Sequence, residues 1–94
     1  MSYCRTTIVE YNSEIDADEA QADYVKKAAS EFLEAEILLA IRTGPTSGVA
    51  VSVYPDEETS DKTMAARNAR MGKMKDVTKN HELHEGEVAL SIVR

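Results

Sequence analysis

The sequence predicts an α+β fold in which two strand–helix–strand halves follow each other along the chain. Apolar residues alternate with a period of two in four short segments, and they recur at spacings of three and four in two longer ones. Turn-forming residues separate these segments. The predicted order is therefore β-α-β-β-α-β. A chain of 94 residues supports a single core, so residues 1–94 are expected to form one domain.

The first half is predicted to begin with a strand from Cys4 to Tyr11, which is rich in β-branched and aromatic residues. Asp16 is a suitable helix N-cap, with Glu19 three residues later as in a capping box. The helix is expected to end near Glu34. Its apolar stripe consists of Val25, Ala28, Ala29, Phe32 and Leu33.

Two strands, residues 36–43 and 49–54, are predicted to follow as a hairpin. The five residues between them begin and end with glycine, which suits a tight connection. The expected pairing places Ile41 opposite Val51. This register puts the large aliphatic side chains of both strands on one face of the sheet.

The second half is predicted to begin after Pro55, which cannot donate to a strand ladder. A second helical region is expected from Asp56 to about Asn80, and a loop from His81 to Gly86. The last strand is predicted from Glu87 to Val93, where apolar residues alternate with small ones.

This order matches the split βαβ, ferredoxin-like arrangement. Right-handed crossovers bring both helices to one face of a four-stranded antiparallel sheet. An aliphatic set is predicted to lie under the helices, and the other face is expected to carry small, polar and arginine side chains. The aliphatic set is Ile8, Ile37, Leu39, Ile41, Val49, Val51, Val53, Val88, Leu90 and Ile92. The other face carries Arg5, Thr7, Val9, Tyr11, Leu38, Ala40, Arg42, Ala50, Ser52, Tyr54, Ala89, Ser91 and Val93.

The second face is unusual for one exposed to water, because it holds only two charges. We therefore expect a second copy of the chain to cover it, related by two-fold symmetry.

Arg5 and Arg42 are the charged residues of that face, and an enclosed arginine can hold a carboxylate or phosphate with two hydrogen bonds. Both are candidate ligand-binding residues. In the competing interpretation they reach the sheet edge or pair with glutamates of the other subunit. The residues that could add hydrogen bonds to a ligand are Tyr11, Ser52, Tyr54 and Ser91.

His81 and His84 alternate with glutamates, but their spacing does not match the zinc-protease helix motif. We interpret them as solvated loop residues and predict no metal site. The basic second helix and the acidic first helix are expected to complement each other side by side. That pairing, rather than binding to nucleic acid, is the preferred explanation of the basic residues.

The net charge of −6 opposes binding to nucleic-acid backbones. The one cysteine, Cys4, excludes an internal disulfide and is interpreted as a small half-buried side chain. No signal-peptide pattern is present, and no run approaches the ~20 apolar residues of a membrane span. We predict a cytoplasmic protein that binds neither nucleic acid nor membrane.

The element order, chain length and hairpin placement resemble the dimeric α+β barrel superfamily, which includes proteins similar to antibiotic biosynthesis monooxygenases. The resemblance implies a homodimer with a pocket beside the sheet for a small anionic or aromatic molecule. It also allows monooxygenase-like chemistry without a cofactor, although haem-degrading relatives use a tryptophan that this chain lacks. Whether the protein is an enzyme is left open by the sequence. The alternative is a structural or regulatory dimer without a ligand.

Overall fold

The computed structural model describes all 94 residues and has the predicted α+β architecture. A four-stranded antiparallel sheet has the strand order β2-β3-β1-β4, with the helices on one side. None of the helices combines the length and hydropathy needed to cross a membrane. The elements are β1 (Tyr3–Tyr11), α1 (Glu14–Glu31), β2 (Ile37–Gly44), β3 (Ser47–Tyr54), α2 (Glu57–Lys62), α3 (Met64–Lys73) and β4 (Thr78–Glu87).

The first helix begins earlier than predicted. The N-cap is Ser13, whose hydroxyl accepts a hydrogen bond from the Asp16 backbone amide at 3.1 Å. Asp16 therefore lies in the first turn, where its charge still suits the helix dipole. The second helical region starts directly after Asp56, whose carboxylate accepts from the Thr59 amide at 2.7 Å. It is shorter than predicted, because it divides at Thr63 and ends at Lys73.

The last strand was predicted nine residues too late. The predicted loop, His81 to Gly86, lies inside β4, where each residue pairs with β1. The polar side chains of β4 are tolerated because it is an edge strand, and charge protects such an edge from other chains. Residues 88–94 form no helix or strand.

The hairpin register differs from the predicted one by two residues. Ile41 lies opposite Val49, and only Pro45 and Thr46 connect the paired residues Gly44 and Ser47. A shift of two preserves which side chains share a face.

The assignment of the two sheet faces was wrong, because the helices cover the face that carries arginine and small residues. We call this the inner face; Arg5, Thr7, Val9, Ser52 and Tyr54 are buried there. The opposite, outer face carries the aliphatic side chains. Ile8, Leu39 and Ile41 are 40%, 50% and 48% exposed on it.

The helices explain this orientation. The residues of α1 that are buried are all alanines, Ala17, Ala20 and Ala28. Alanine lets a helix approach a sheet without filling the space between them. The inner face can therefore hold large polar side chains such as Arg5 and Tyr54, provided that they bond to each other.

Candidate functional site

A cavity lies between the inner face and the helices α1 and α3. Twenty residues line it, and twelve of them are hydrophobic. The cavity has a volume of about 90 Å³, measured as the space that the centre of a water molecule can occupy. Since one water needs ~10–15 Å³ on that measure, the cavity holds roughly six to nine waters or one small organic molecule. It is partly open to solvent.

Four arginines line this cavity, and no aspartate or glutamate does. Two of them are paired with carboxylates outside the lining. Arg42 contacts Asp18 at 2.9 Å, and Arg70 contacts Asp23 and Glu31 at 2.9 and 2.8 Å. The expectation that opposite charges join the two helical regions is thus confirmed at Arg70.

Arg5 has no carboxylate partner, but neutral groups hold its guanidinium in place. It donates to the Tyr54 hydroxyl at 2.8 Å, the Ser60 carbonyl at 3.3 Å and the Met64 sulfur at 3.2 Å. The rings of Tyr54 and Phe32 lie 5.1 and 5.8 Å from its central carbon, within cation–π range. Arg5 is therefore a fixed positive charge in the cavity wall.

Arg67 enters the cavity from α3 and is the least satisfied of the four arginines. Its Nε is buried and has no hydrogen-bond partner. The Nη groups donate to the Thr7 hydroxyl at 3.5 Å and the Asn68 side-chain oxygen at 3.3 Å, which are long distances for such bonds. Burial, and then the charge of Arg5, lower the pKa of Arg67. Both effects disfavour the charged guanidinium, and a bound anion would relieve them.

Two tyrosines, Tyr11 and Tyr24, supply aromatic surface to the cavity. Burial raises the pKa of both hydroxyls, outweighing the opposite effect of nearby arginines. They are therefore neutral at physiological pH and can donate a hydrogen bond to a ligand. The Tyr24 ring also lies 5.3 Å from the central carbon of Arg70.

The structure brings together most of the predicted ligand-binding residues. Arg5, Tyr11, Arg42 and Ser52 line the cavity. Tyr54 does not line it but bonds Arg5 directly. Ser91 lies in the exposed segment after β4 and has no place in the cavity.

The two histidines cannot share a site. His81 pairs with Val9 and His84 with Thr6 in the β1–β4 ladder, so they point to opposite faces of the sheet. His84 lies 3.1 Å from Glu82 in an exposed pair. No group of three or more His, Cys, Asp or Glu side chains is arranged to hold a metal ion.

Sequence reasoning missed Arg67 as a cavity residue, because it was counted with the basic surface of the second helix. One signal could have identified it. Arg67 follows Met64 by three residues and precedes Met71 by four, so it lies on the apolar stripe of α3. A charge on such a stripe is directed toward the body of the protein.

No protein-family model and no curated protein match this chain. Solved structures do match it over nearly its whole length. A protein of unknown function from Nitrosomonas europaea has 13% identity and a TM-score of 0.82, covering 99% of this chain and 94% of that one. A dimeric ferredoxin-like protein from an uncultured marine organism has 11% identity and a TM-score of 0.79, covering 99% and 92%.

A cofactor-independent oxygenase from Streptomyces nogalater has 12% identity and a TM-score of 0.67, covering 99% of this chain and 98% of its own. Further matches are of the antibiotic biosynthesis monooxygenase type. The predicted ferredoxin-like α+β fold is thus confirmed. At these identities the comparisons carry no information about activity.

Proposed function

We propose that this protein binds a small organic anion with an aromatic or other apolar body in the cavity under its helices. The observation that carries this proposal is the unpartnered Nε of Arg67 in a lining that has no carboxylate. A buried donor of this kind is costly when left without an acceptor. A carboxylate or phenolate oxygen would supply that acceptor and offset the adjacent charge of Arg5.

The rest of the lining favours the apolar part of such a ligand. Tyr11, Tyr24, Met71 and Met74 provide aromatic and thioether surface, and the alanines of α1 leave a shallow wall. For a cavity of this volume, we choose benzoate, a small flat acid, as the probe. Tyr11 and Tyr24 can donate to a second polar group on the ligand.

The test compares two ligands and two variants. Benzoate is expected to raise the melting temperature of the wild-type protein, whereas benzamide, which has the same shape without the charge, should have little effect. The apparent affinity for benzoate, obtained from these melting-temperature shifts, should be at least about tenfold lower for Arg67→Met. The reason is that a hydrogen bond to a charged group is worth ~1.5–3 kcal/mol. Lys73→Met removes an exposed charge from the same helix and should leave the shift unchanged.

Equal responses to benzoate and benzamide, or equal responses of the two variants, would contradict the proposal. A panel of aromatic acids that leaves the wild-type melting temperature unmoved would favour the alternative, a dimerisation module without a ligand.

A second candidate function is oxidation of a bound phenol to a quinone by dissolved oxygen without a cofactor. One oxygen atom enters the ring, and the other leaves as water with the two hydrogens that the phenol loses. The favouring observation is the pair of guanidiniums of Arg5 and Arg67, which lack carboxylate partners and would stabilise a phenolate over its phenol. A phenolate is more easily oxidised than its phenol. Consumption of dissolved oxygen by protein plus a hydroxylated aromatic acid, absent in Arg67→Met, would support this activity.

The quaternary structure that we propose is a homodimer packed through the outer face. The exposed aliphatic side chains of Ile8, Leu39 and Ile41 lie together there, and a monomer would leave them in water. One of the similar solved structures is that of a dimeric ferredoxin-like protein, which supports a dimer of this fold. The original expectation of a sheet-to-sheet dimer is kept, but its contact surface is the aliphatic face.

A further inference from the structure

The positive charges that line the cavity are only partly balanced by the protein. Two of the four arginines, Arg42 and Arg70, form ion pairs with carboxylates of α1. The other two, Arg5 and Arg67, form no ion pair. Glu85 lies opposite Arg5 in the β1–β4 ladder, but it is exposed and pairs with neither arginine. The cavity wall therefore carries two positive charges that no carboxylate contacts.

Arg5 and Arg67 come from different elements but are held at neighbouring points. The Arg5 Nη1 group lies 3.2 Å from the Met64 sulfur. The Arg67 Nη2 group lies 3.5 Å from the Thr7 hydroxyl oxygen. Arg5 and Thr7 are separated by ~6.6 Å along β1, and Met64 and Arg67 by ~4.5 Å along α3. The points at which the two guanidiniums are held are thus roughly 5–7 Å apart.

Both guanidiniums keep donors for a ligand. All hydrogen bonds of Arg5 come from its two Nη groups, so its Nε donates to no acceptor. The Nε of Arg67 also has no acceptor. A charge-assisted N–H···O bond spans ~2.7–2.9 Å, so one anionic group between the two side chains can accept hydrogen bonds from both.

We infer that the ligand of this cavity carries a head group with two negative charges, a phosphate monoester or phosphonate, which bridges Arg5 and Arg67. This inference rests on the proposed function, because it names the class of organic anion that the cavity binds. A carboxylate offsets only one of the two charges. A phosphate monoester carries a charge of about −1.5 to −2 at pH 7 and offers three acceptor oxygens, and the planar guanidinium suits phosphate oxygens.

Phenyl phosphate and phenyl sulfate test this inference, because they have nearly the same shape and differ in charge. Phenyl sulfate is a monoanion, whereas a phosphate monoester loses its second proton with a pKa of ~6. In calorimetric titrations at pH 8, phenyl phosphate should bind at least about tenfold more tightly than phenyl sulfate. At pH 5 this preference should largely disappear. No histidine, cysteine, lysine or carboxylate lines the cavity, so the change reports the charge of the ligand.

A variant assigns the preference to the arginine pair. Arg67→Met leaves one of the two unpaired guanidiniums, so the preference for phenyl phosphate at pH 8 should largely disappear there as well. Lys73→Met removes an exposed charge from the same helix and should keep the full preference. The pH dependence is measured on the wild-type protein, so the inference stays testable if Arg67→Met fails to fold.

The outcomes separate this inference from the proposed function. Equal binding of the two esters at pH 8, or binding of benzoate alone, overturns the doubly charged head group and leaves the anion site standing. A preference for phenyl phosphate that stays as strong at pH 5 or in Arg67→Met also overturns the inference. If neither ester nor benzoate binds, the inference and the proposed function are both wrong.

Discussion

The guanidinium of Arg5 donates to the hydroxyl of Tyr54 at 2.8 Å, and both side chains are buried between the sheet and the helices. This pair shows how the inner face accommodates polar groups that would usually lie outside. The other groups that accept hydrogen bonds from the Arg5 guanidinium are also neutral.

The first prediction concerns that hydrogen bond. Tyr54→Phe should lower the free energy of unfolding by ~1.5–3 kcal/mol, because the charged guanidinium loses its shortest bond. Tyr11→Phe is the matched control, since the Tyr11 side chain makes no hydrogen bond within the protein. Urea denaturation followed by circular dichroism measures both. Equal losses of unfolding free energy in the two variants would show that the Arg5–Tyr54 hydrogen bond does not stabilise the fold.

The second prediction is that the ligand-free protein becomes more stable when Arg67 is replaced. Arg67→Met removes a partly buried charge whose Nε has no acceptor, and it keeps much of the side-chain volume. We expect the free energy of unfolding to rise by about 1 kcal/mol, whereas Lys73→Met should change it little. A destabilised Arg67→Met variant would mean that Arg67 serves the fold rather than a ligand.

The third prediction concerns acid pH. Hydrogen bonds from Lys27, and then from Arg70, lower the pKa of Asp23. Because the pKa of Asp23 is lower in the folded state than in the unfolded state, its ionised carboxylate stabilises the fold. This stabilisation is fully present above the unfolded pKa of ~3.9 and is lost as the pH falls through the lower folded value. The urea midpoint should therefore decrease below about pH 4.

Asp23→Asn should show a smaller decrease over the same pH range, because its side chain does not titrate. Glu34→Gln is the control, since Glu34 is exposed and makes no ion pair. If Asp23→Asn and Glu34→Gln follow the same pH profile, the contacts of Asp23 do not contribute to acid sensitivity.

The fourth prediction concerns the outer face. Leu39→Glu introduces a charge among exposed aliphatic side chains and should weaken dimerisation by two orders of magnitude or more, because an unpaired charge would be buried at the contact. His81→Glu, an exposed change on β4, should leave it unaffected. Sedimentation velocity over a dilution series distinguishes these results. A wild-type chain that sediments as a monomer at micromolar concentration would refute the dimer.

Local periodicity was sufficient to predict the order of the elements. It could not decide which sheet face the helices cover. The aliphatic face has the composition of a core, but the small side chains of Ala17 and Ala20 fit instead over Arg5 and its neighbours. The packing of the helices against the sheet determines which face is covered, and no single segment of the sequence encodes that packing.

The last strand shows a second limit of prediction from local periodicity. Residues 88–93 have the stronger strand pattern, yet the ladder uses Thr78–Glu87. An edge strand needs hydrogen bonds from one neighbour only, so its side chains can be polar and carry little periodic signal. Arg67 was missed for a related reason: its helix also carries the basic residues Arg70 and Lys73, and only the helical spacing of Arg67 directs it inward.

Calorimetric titration with benzoate and benzamide tests the central claim most directly. We expect benzoate to bind the wild-type protein at one site per chain, with at least tenfold weaker binding to Arg67→Met and no measurable heat with benzamide. Binding of benzoate that is equally strong in wild type and Arg67→Met would contradict the claim that this arginine-lined cavity is an anion site.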